Sequence, residues 1–215
     1  MKVGLLFDLD GTLLDTLGDL RNSVNVALAQ FGYPQRTLAE IRSFVGTGAR
    51  NLSRLSMPEG KDNVDEVLAA FQAHYKDHCN IETGPYAGIP AALEALKDIP
   101  MAIVSNKPDY AVKELAAIYF PGIYALGEVA GIPRKPAPDM LFKAMADIGV
   151  ETCIYIGDSE VDILTAKNAG VPCSSVLWGI RDRQTLEAAG TRYFCEETAS
   201  LPAIIERIIE ETYGT

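Results

Sequence analysis

Cysteine is scarce: four residues in a chain of 215, Cys79, Cys153, Cys173 and Cys195. No two stand in a CxxC pair, so neither a zinc ribbon nor a dithiol redox motif is present, and buried or free thiols of a reducing compartment are expected. Histidine is scarcer still. His74 and His78 stand four apart on a helical pattern, but no third ligand accompanies them, so they are expected to be an exposed pair and not a metal site. There is no apolar run long enough to span a bilayer. Met1–Lys2 leads straight into a strand pattern, without a basic region and signal-type apolar core. Positive charge is also short, with 19 basic against 29 acidic residues and a net charge of -10. That balance argues against nucleic acid or an anionic membrane surface as a partner. A cytoplasmic protein, monomeric or homodimeric, is the expectation.

What the chain does have is apolar content, 48% of its residues, sufficient for a well-buried core. Continuous apolar runs at Val3–Phe7, Met101–Val104, Ile154–Ile156, Ser174–Leu177 and Tyr193–Cys195 predict strands covered on both faces. Helical patterns lie between them. Helices are predicted to start at Pro108–Asp109 and Pro138–Asp139, and another to run from Ser159 to Ala169, ending at Gly170. Alternation of this kind predicts an α/β fold with a Rossmann-like, doubly wound parallel sheet, whose ligands bind at the carboxyl ends of the strands.

One block does not alternate. From residue 15 to residue 83 the pattern is helical only, with Leu17, Leu20, Val24, Leu28 and Phe31 at helical spacing and a further helix over Asp62 to His78. This predicts an all-helical cap, residues 15–83, inserted into a core made of 1–14 and 84–215, with joints near Asp15–Thr16 and Thr83–Gly88. No internal repeat or low-complexity segment interrupts the chain.

Acids collect where strands end. FDLDGTLLDT, Phe7 to Thr16, closes the first strand with Asp8 and Asp10, one residue apart. Ile154–Ile156 runs into Gly157-Asp158-Ser159, and Asp162 follows. Converging carboxylates repel, and a cation relieves them; an all-oxygen set suits Mg²⁺ better than zinc. Ser105 and Asn106, ending the Met101 strand, are neutral hydrogen-bonders suited to a phosphate oxygen, and Lys135 is a cation pinned by Pro136.

In this order along the chain, the motifs resemble the haloacid dehalogenase superfamily of phosphohydrolases. Phe7–Thr12 (FDLDGT) matches the first motif, Ser105 the second, Lys135 the third, and Gly157-Asp158 with Asp162 the fourth. The chain is similar to the phosphoglycolate phosphatase branch, through Val45-Gly46-Thr47-Gly48-Ala49, Ser105-Asn106-Lys107-Pro108 and Trp178-Gly179. A Thr is more usual than Ser105 in that branch; either hydroxyl serves.

The resemblance implies a Mg²⁺-dependent phosphatase of a small phosphorylated metabolite, phosphoglycolate first. It makes Asp8 the nucleophile and Asp10 the general acid and base. The implied metal ligands are the Asp8 and Asp158 side chains and the Asp10 backbone carbonyl, with Asp162 supporting them. The implied phosphate binders are Gly11, Thr12, Ser105, Asn106 and Lys135. Asp10 separates the chain from dehalogenases, which lack it. A phosphomutase or pyrophosphatase of the same superfamily is the alternative, a non-catalytic binding protein a more distant one. Substrate choice is expected in the cap, where Thr47, Gly48 and Arg50 stand at a helix start that can face an anionic tail.

Overall fold

The structure, a computed structural model, describes residues 1–214. Among the described residues, eight strands and ten α-helices alternate over most of the length. In the first half they are β1 (Val3–Phe7), β2 (Leu14–Asp15), α1 (Leu17–Gln30), α2 (Leu38–Phe44), α3 (Ala49–Ser56), α4 (Val64–His78), β3 (Gly84–Pro85), α5 (Ile89–Ala95) and β4 (Met101–Pro108). The second half holds α6 (Asp109–Tyr119), β5 (Tyr124–Glu128), α7 (Asp139–Ile148), β6 (Thr152–Gly157), α8 (Glu160–Ala169), β7 (Cys173–Val176), α9 (Arg183–Ala188), β8 (Tyr193–Cys195) and α10 (Leu201–Tyr213).

Six strands form one parallel sheet in the order β5-β4-β1-β6-β7-β8. Alternate residues of β1 face opposite sides. Leu5 and Phe7 join the cluster built with Ile89 of α5, Leu115 of α6 and Ile205 of α10. Leu6 joins Met140 and Leu141 of α7 and Ala166 of α8. Helices therefore cover both faces of the sheet, which explains why its strands read as unbroken apolar runs. The chain builds β4 and β5 on one side of β1, then crosses to lay β6, β7 and β8 on the other. The switch leaves a crevice at the carboxyl ends of β1, β4 and β6, where such sheets bind ligands.

Helices α1 to α4 lie between β2 and β3. Those two short strands pair antiparallel, Leu14 opposite Pro85 and Asp15 opposite Gly84, so the chain leaves and re-enters the sheet domain side by side. Leu17, Leu20, Val24 and Leu28 form the buried stripe of α1 and pack with Val67, Phe71 and Tyr75 of α4. Phe31 falls just beyond the helix end. Among the described residues no helix is long and apolar enough to cross a membrane.

Candidate active site

The two aspartates of FDLDGT reach one cavity of about 40 Å³, walled below by the ends of β1, β4 and β6 and above by the helical insertion. Asp8 follows β1 directly, its N–H donating to Ile156 O at 2.8 Å. Its Oδ1 accepts from Leu9 N at 2.7 Å and pairs with Lys135 Nζ at 3.0 Å. Burial pushes this carboxyl up to about 7, against the pull of Lys135 and with Asp162 and Asp10 adding to the rise. Leu9, between the two acids, is fully buried in the core.

Asp10 is held differently. Its Oδ1 accepts from Thr16 Oγ1 and pairs with Lys107 Nζ, both at 2.7 Å. Both contacts fall on one oxygen, and Oδ2 has no hydrogen bond among the described residues. Lys107 sits in β4 and is itself buried. Burial opposes its charge, but Asp10 and the neighbouring Tyr75 outweigh that and raise its pKa. Lys107 was not singled out from the sequence, although it stands in the same stretch as Ser105 and Asn106.

Asp158, at the end of β6, packs against two glycines. A Cβ on Gly11, whose φ is +82°, would lie 2.2 Å from Asp158 Oδ2, and one on Gly179 would lie 2.4 Å from Asp158 Cβ. Thr12 Oγ1 donates to Asp158 Oδ1 at 3.3 Å and Ile180 N to Oδ2 at 2.6 Å. Burial raises the Asp158 carboxyl well above the ordinary carboxylate range, with Asp162 and Asp8 contributing. Asp162 is fully buried and accepts on both oxygens: Lys135 Nζ at 2.8 Å and Tyr155 Oη at 3.1 Å on Oδ1, Ser159 N at 3.1 Å and Oγ at 2.6 Å on Oδ2. That dense bonding fits a residue that holds Lys135 in place.

Oxygens of Asp8, Asp158 and Asp162 lie within 4.8 Å of one another. With Asp10 nearby, four carboxylates stand against two ammonium groups among the described residues, Lys107 paired with Asp10 and Lys135 paired with Asp8 and Asp162. The donor set is all oxygen and the excess charge is negative, which fits a hard divalent cation.

Several expected phosphate contacts carry other bonds. Asn106 donates Nδ2 to Gly46 O at 3.1 Å and to Lys135 O at 2.9 Å, while its Oδ1 accepts from Lys135 N at 2.9 Å. It joins the cap loop to the Lys135 loop. The Gly11 N–H donates to Leu14 O at 2.9 Å, and Thr12 holds Asp158. Ser105 and Lys135 remain on or beside the cavity, and both are buried. In the cap, Gly46, Gly48 and Ala49 line the cavity. Arg50 is half exposed and pairs with Asp65 at 2.8 Å, outside the cavity lining. Thr47 Oγ1 accepts from Asn51 within the cap. His74 and His78 stack on each other, and His74 shares a hydrogen bond with Ser23.

Residues 5–176 match the family model of haloacid dehalogenase-like hydrolases. The chain belongs to that family. Among similar proteins of this hydrolase is a phosphoglycolate phosphatase of Rhodobacter capsulatus, 35% identical over 96% of this chain and 98% of the relative. Phosphoglycolate phosphatase 1 of Pseudomonas aeruginosa is 34% identical over 81% of this chain and 69% of its own length. A crystal structure from Lactobacillus delbrueckii subsp. bulgaricus superposes with a TM-score of 0.88 at 36% identity, covering 95% of this hydrolase and 99% of that chain.

Proposed function

We propose that this hydrolase is a Mg²⁺-dependent phosphatase of small phosphorylated metabolites, phosphoglycolate foremost, working through an aspartyl-phosphate on Asp8. The observation that carries the reading is the unequal treatment of the two aspartates at one cavity. Asp8 is held by Lys135 at the end of β1, while Asp10 keeps Oδ2 free and is fixed through Oδ1 by Lys107 and Thr16. On this reading one carboxylate attacks and the other moves a proton. Naming among the relatives supports the phosphoglycolate assignment.

In this mechanism Lys135 and Ser105 hold the phosphoryl oxygens beside Asp8. An Asp8 oxygen attacks phosphorus, and the bond to the leaving alkoxide breaks. Asp10 gives its proton to that alkoxide, then takes one from the water that attacks the acyl phosphate and returns Asp8. Asp8, Asp158 and the Asp10 carbonyl would hold Mg²⁺, which offsets the surplus carboxylate charge against an incoming phosphate dianion. Residues 15–83 act as the cap and 1–14 with 84–215 as the catalytic core.

The test is a pair of variants assayed on phosphoglycolate with and without EDTA. Asp8→Asn abolishes turnover and forms no phosphoenzyme. Asp10→Asn slows turnover by a factor on the order of 10²–10⁴. Full activity in chelator, or substantial activity in Asp8→Asn, sinks the reading.

A further inference from the structure

The cap side of the cavity is an apolar wall in which Leu20, Val45, Leu52 and Phe71 take part. One polar atom is set into it. Tyr75 Oη is fully buried beside the Lys107 ammonium, and its own O–H has no acceptor among the described residues. Unpaired buried hydroxyls are rare in native proteins, and one that lines a cavity points to an absent partner. Tyr75 is also rigidly placed. Its ring stacks on Phe71, with centroids 5.1 Å apart and planes at 15°, and the Lys107 ammonium lies 4.9 Å from its ring centroid.

Lys107 completes the geometry from the core side. An ammonium has three donors, and the structure gives this one a single carboxylate partner, Asp10 Oδ1. Tyr75 and Lys107 therefore present donors and a positive charge beside Asp10, the residue next to which a leaving oxygen departs. The remaining polar groups on the cap side of the cavity are backbone groups of Gly46, Gly48 and Ala49.

We propose that Tyr75 and Lys107 form the seat for the leaving group, and that this seat takes a short alcohol bearing a carboxylate. The inference rests on the phosphatase reading and adds to it the residues that select the substrate. Two donors around a positive centre call for an anionic acceptor. A sugar phosphate is disfavoured by the same wall, because its extra hydroxyls would be buried against leucine, valine and phenylalanine without partners. Tyr75 is a specificity residue in the cap.

Phosphoglycolate and ethyl phosphate have similar leaving-group length and differ in the carboxylate, so their kcat/KM ratio reads the seat directly. Tyr75→Phe keeps the ring on Phe71 and removes only the hydroxyl. The ratio is expected to fall about 10- to 100-fold, the loss of one hydrogen bond to a charged group. An unchanged ratio, whether both substrates lose activity equally or neither does, overturns the proposal. Calorimetry supplies a readout independent of turnover, using Mg²⁺-loaded Asp8→Asn protein with and without Tyr75→Phe. Phosphoglycolate should bind more tightly than ethyl phosphate, and that advantage should shrink in the double variant. Wild-type protein that hydrolyses no phosphate ester removes the phosphatase reading alone. Phosphoglycolate that binds no better than ethyl phosphate, or binds equally well without the Tyr75 hydroxyl, removes the seat.

Discussion

Lys107 connects the two halves of the site, since one ammonium touches Asp10 and faces the Tyr75 ring. Its effect on Asp10 can be isolated with ethyl phosphate, which has no carboxylate to contact. Lys107→Gln is expected to lower kcat on that ester by about 10-fold or more, the scale of one charge-assisted hydrogen bond. Unaltered kcat would show that Thr16 alone orients Asp10. The amine lay in plain view in Ser105-Asn106-Lys107, yet a lysine in a sequence carries no mark of burial. Asn106 shows the converse: its amide suits phosphate chemically, but whether its bonding capacity is already taken is a property of the fold. Arg50 turns on helix phase. Gly48 and Ala49 line the cavity at the start of α3, and one residue further on the side chain has rotated by about 100° to meet Asp65.

Among elements, the joint between α1 and β3 is tied by one buried acid. Asp19 accepts from the N–H groups of Ile81, Glu82 and Thr83 and from Thr83 Oγ1, at 2.7 to 3.1 Å. Asp19→Asn replaces one acceptor with a donor that faces these N–H groups. It should destabilise the protein by about 2–3 kcal/mol, read from the urea midpoint, and open residues 81–83 to limited proteolysis. The opposite rim is fastened by Arg181, which donates to Arg42 O at 2.9 Å and Val45 O at 3.0 Å and pairs with Glu160 at 3.0 Å. Arg181→Ala removes these cap contacts, so KM for phosphoglycolate should rise several-fold with a smaller change in kcat; a loss confined to kcat would place Arg181 outside cap closure. Central strands were legible because sheet burial on both faces writes itself as continuous apolar runs. The edge strand β5, YALGE, was not, since only Leu126 and Gly127 are buried. The two-residue strands β2 and β3 are too short to leave any periodicity.

For the molecule as a whole, the carboxylate cluster ties stability to pH and metal. Asp8 in the folded protein has its pKa raised to about 7 from an ordinary 3.8. Between those values the folded chain keeps a proton that the unfolded chain releases. Its contribution to metal-free stability is therefore full below about 4 and lost as pH rises through about 7. Mg²⁺ competes with the same proton. The gain in Tm on adding Mg²⁺ should be small near pH 5, grow toward pH 7 and level off above it; a gain independent of pH would mean that Asp8 is not a ligand. The doubly wound fold and the helical block were readable at this scale, because alternation of strand and helix, and its interruption, span tens of residues. How closely the insertion seats on the sheet was not, since it depends on single contacts such as Asn106 to Gly46.

The antiparallel pairing of Leu14 with Pro85 and Asp15 with Gly84 has a topological consequence. Seen from the sheet, everything between those strands is a closed loop whose two ends are already hydrogen-bonded neighbours. The size of what fills the loop enters only weakly, since closure entropy grows with the logarithm of its length. A smaller, larger or unrelated module can be spliced at this hairpin without shifting the register of any sheet strand or the placement of Asp8, Lys135 and Asp158. The attachment point thus uncouples the size of the lid from the geometry of the chemistry beneath it.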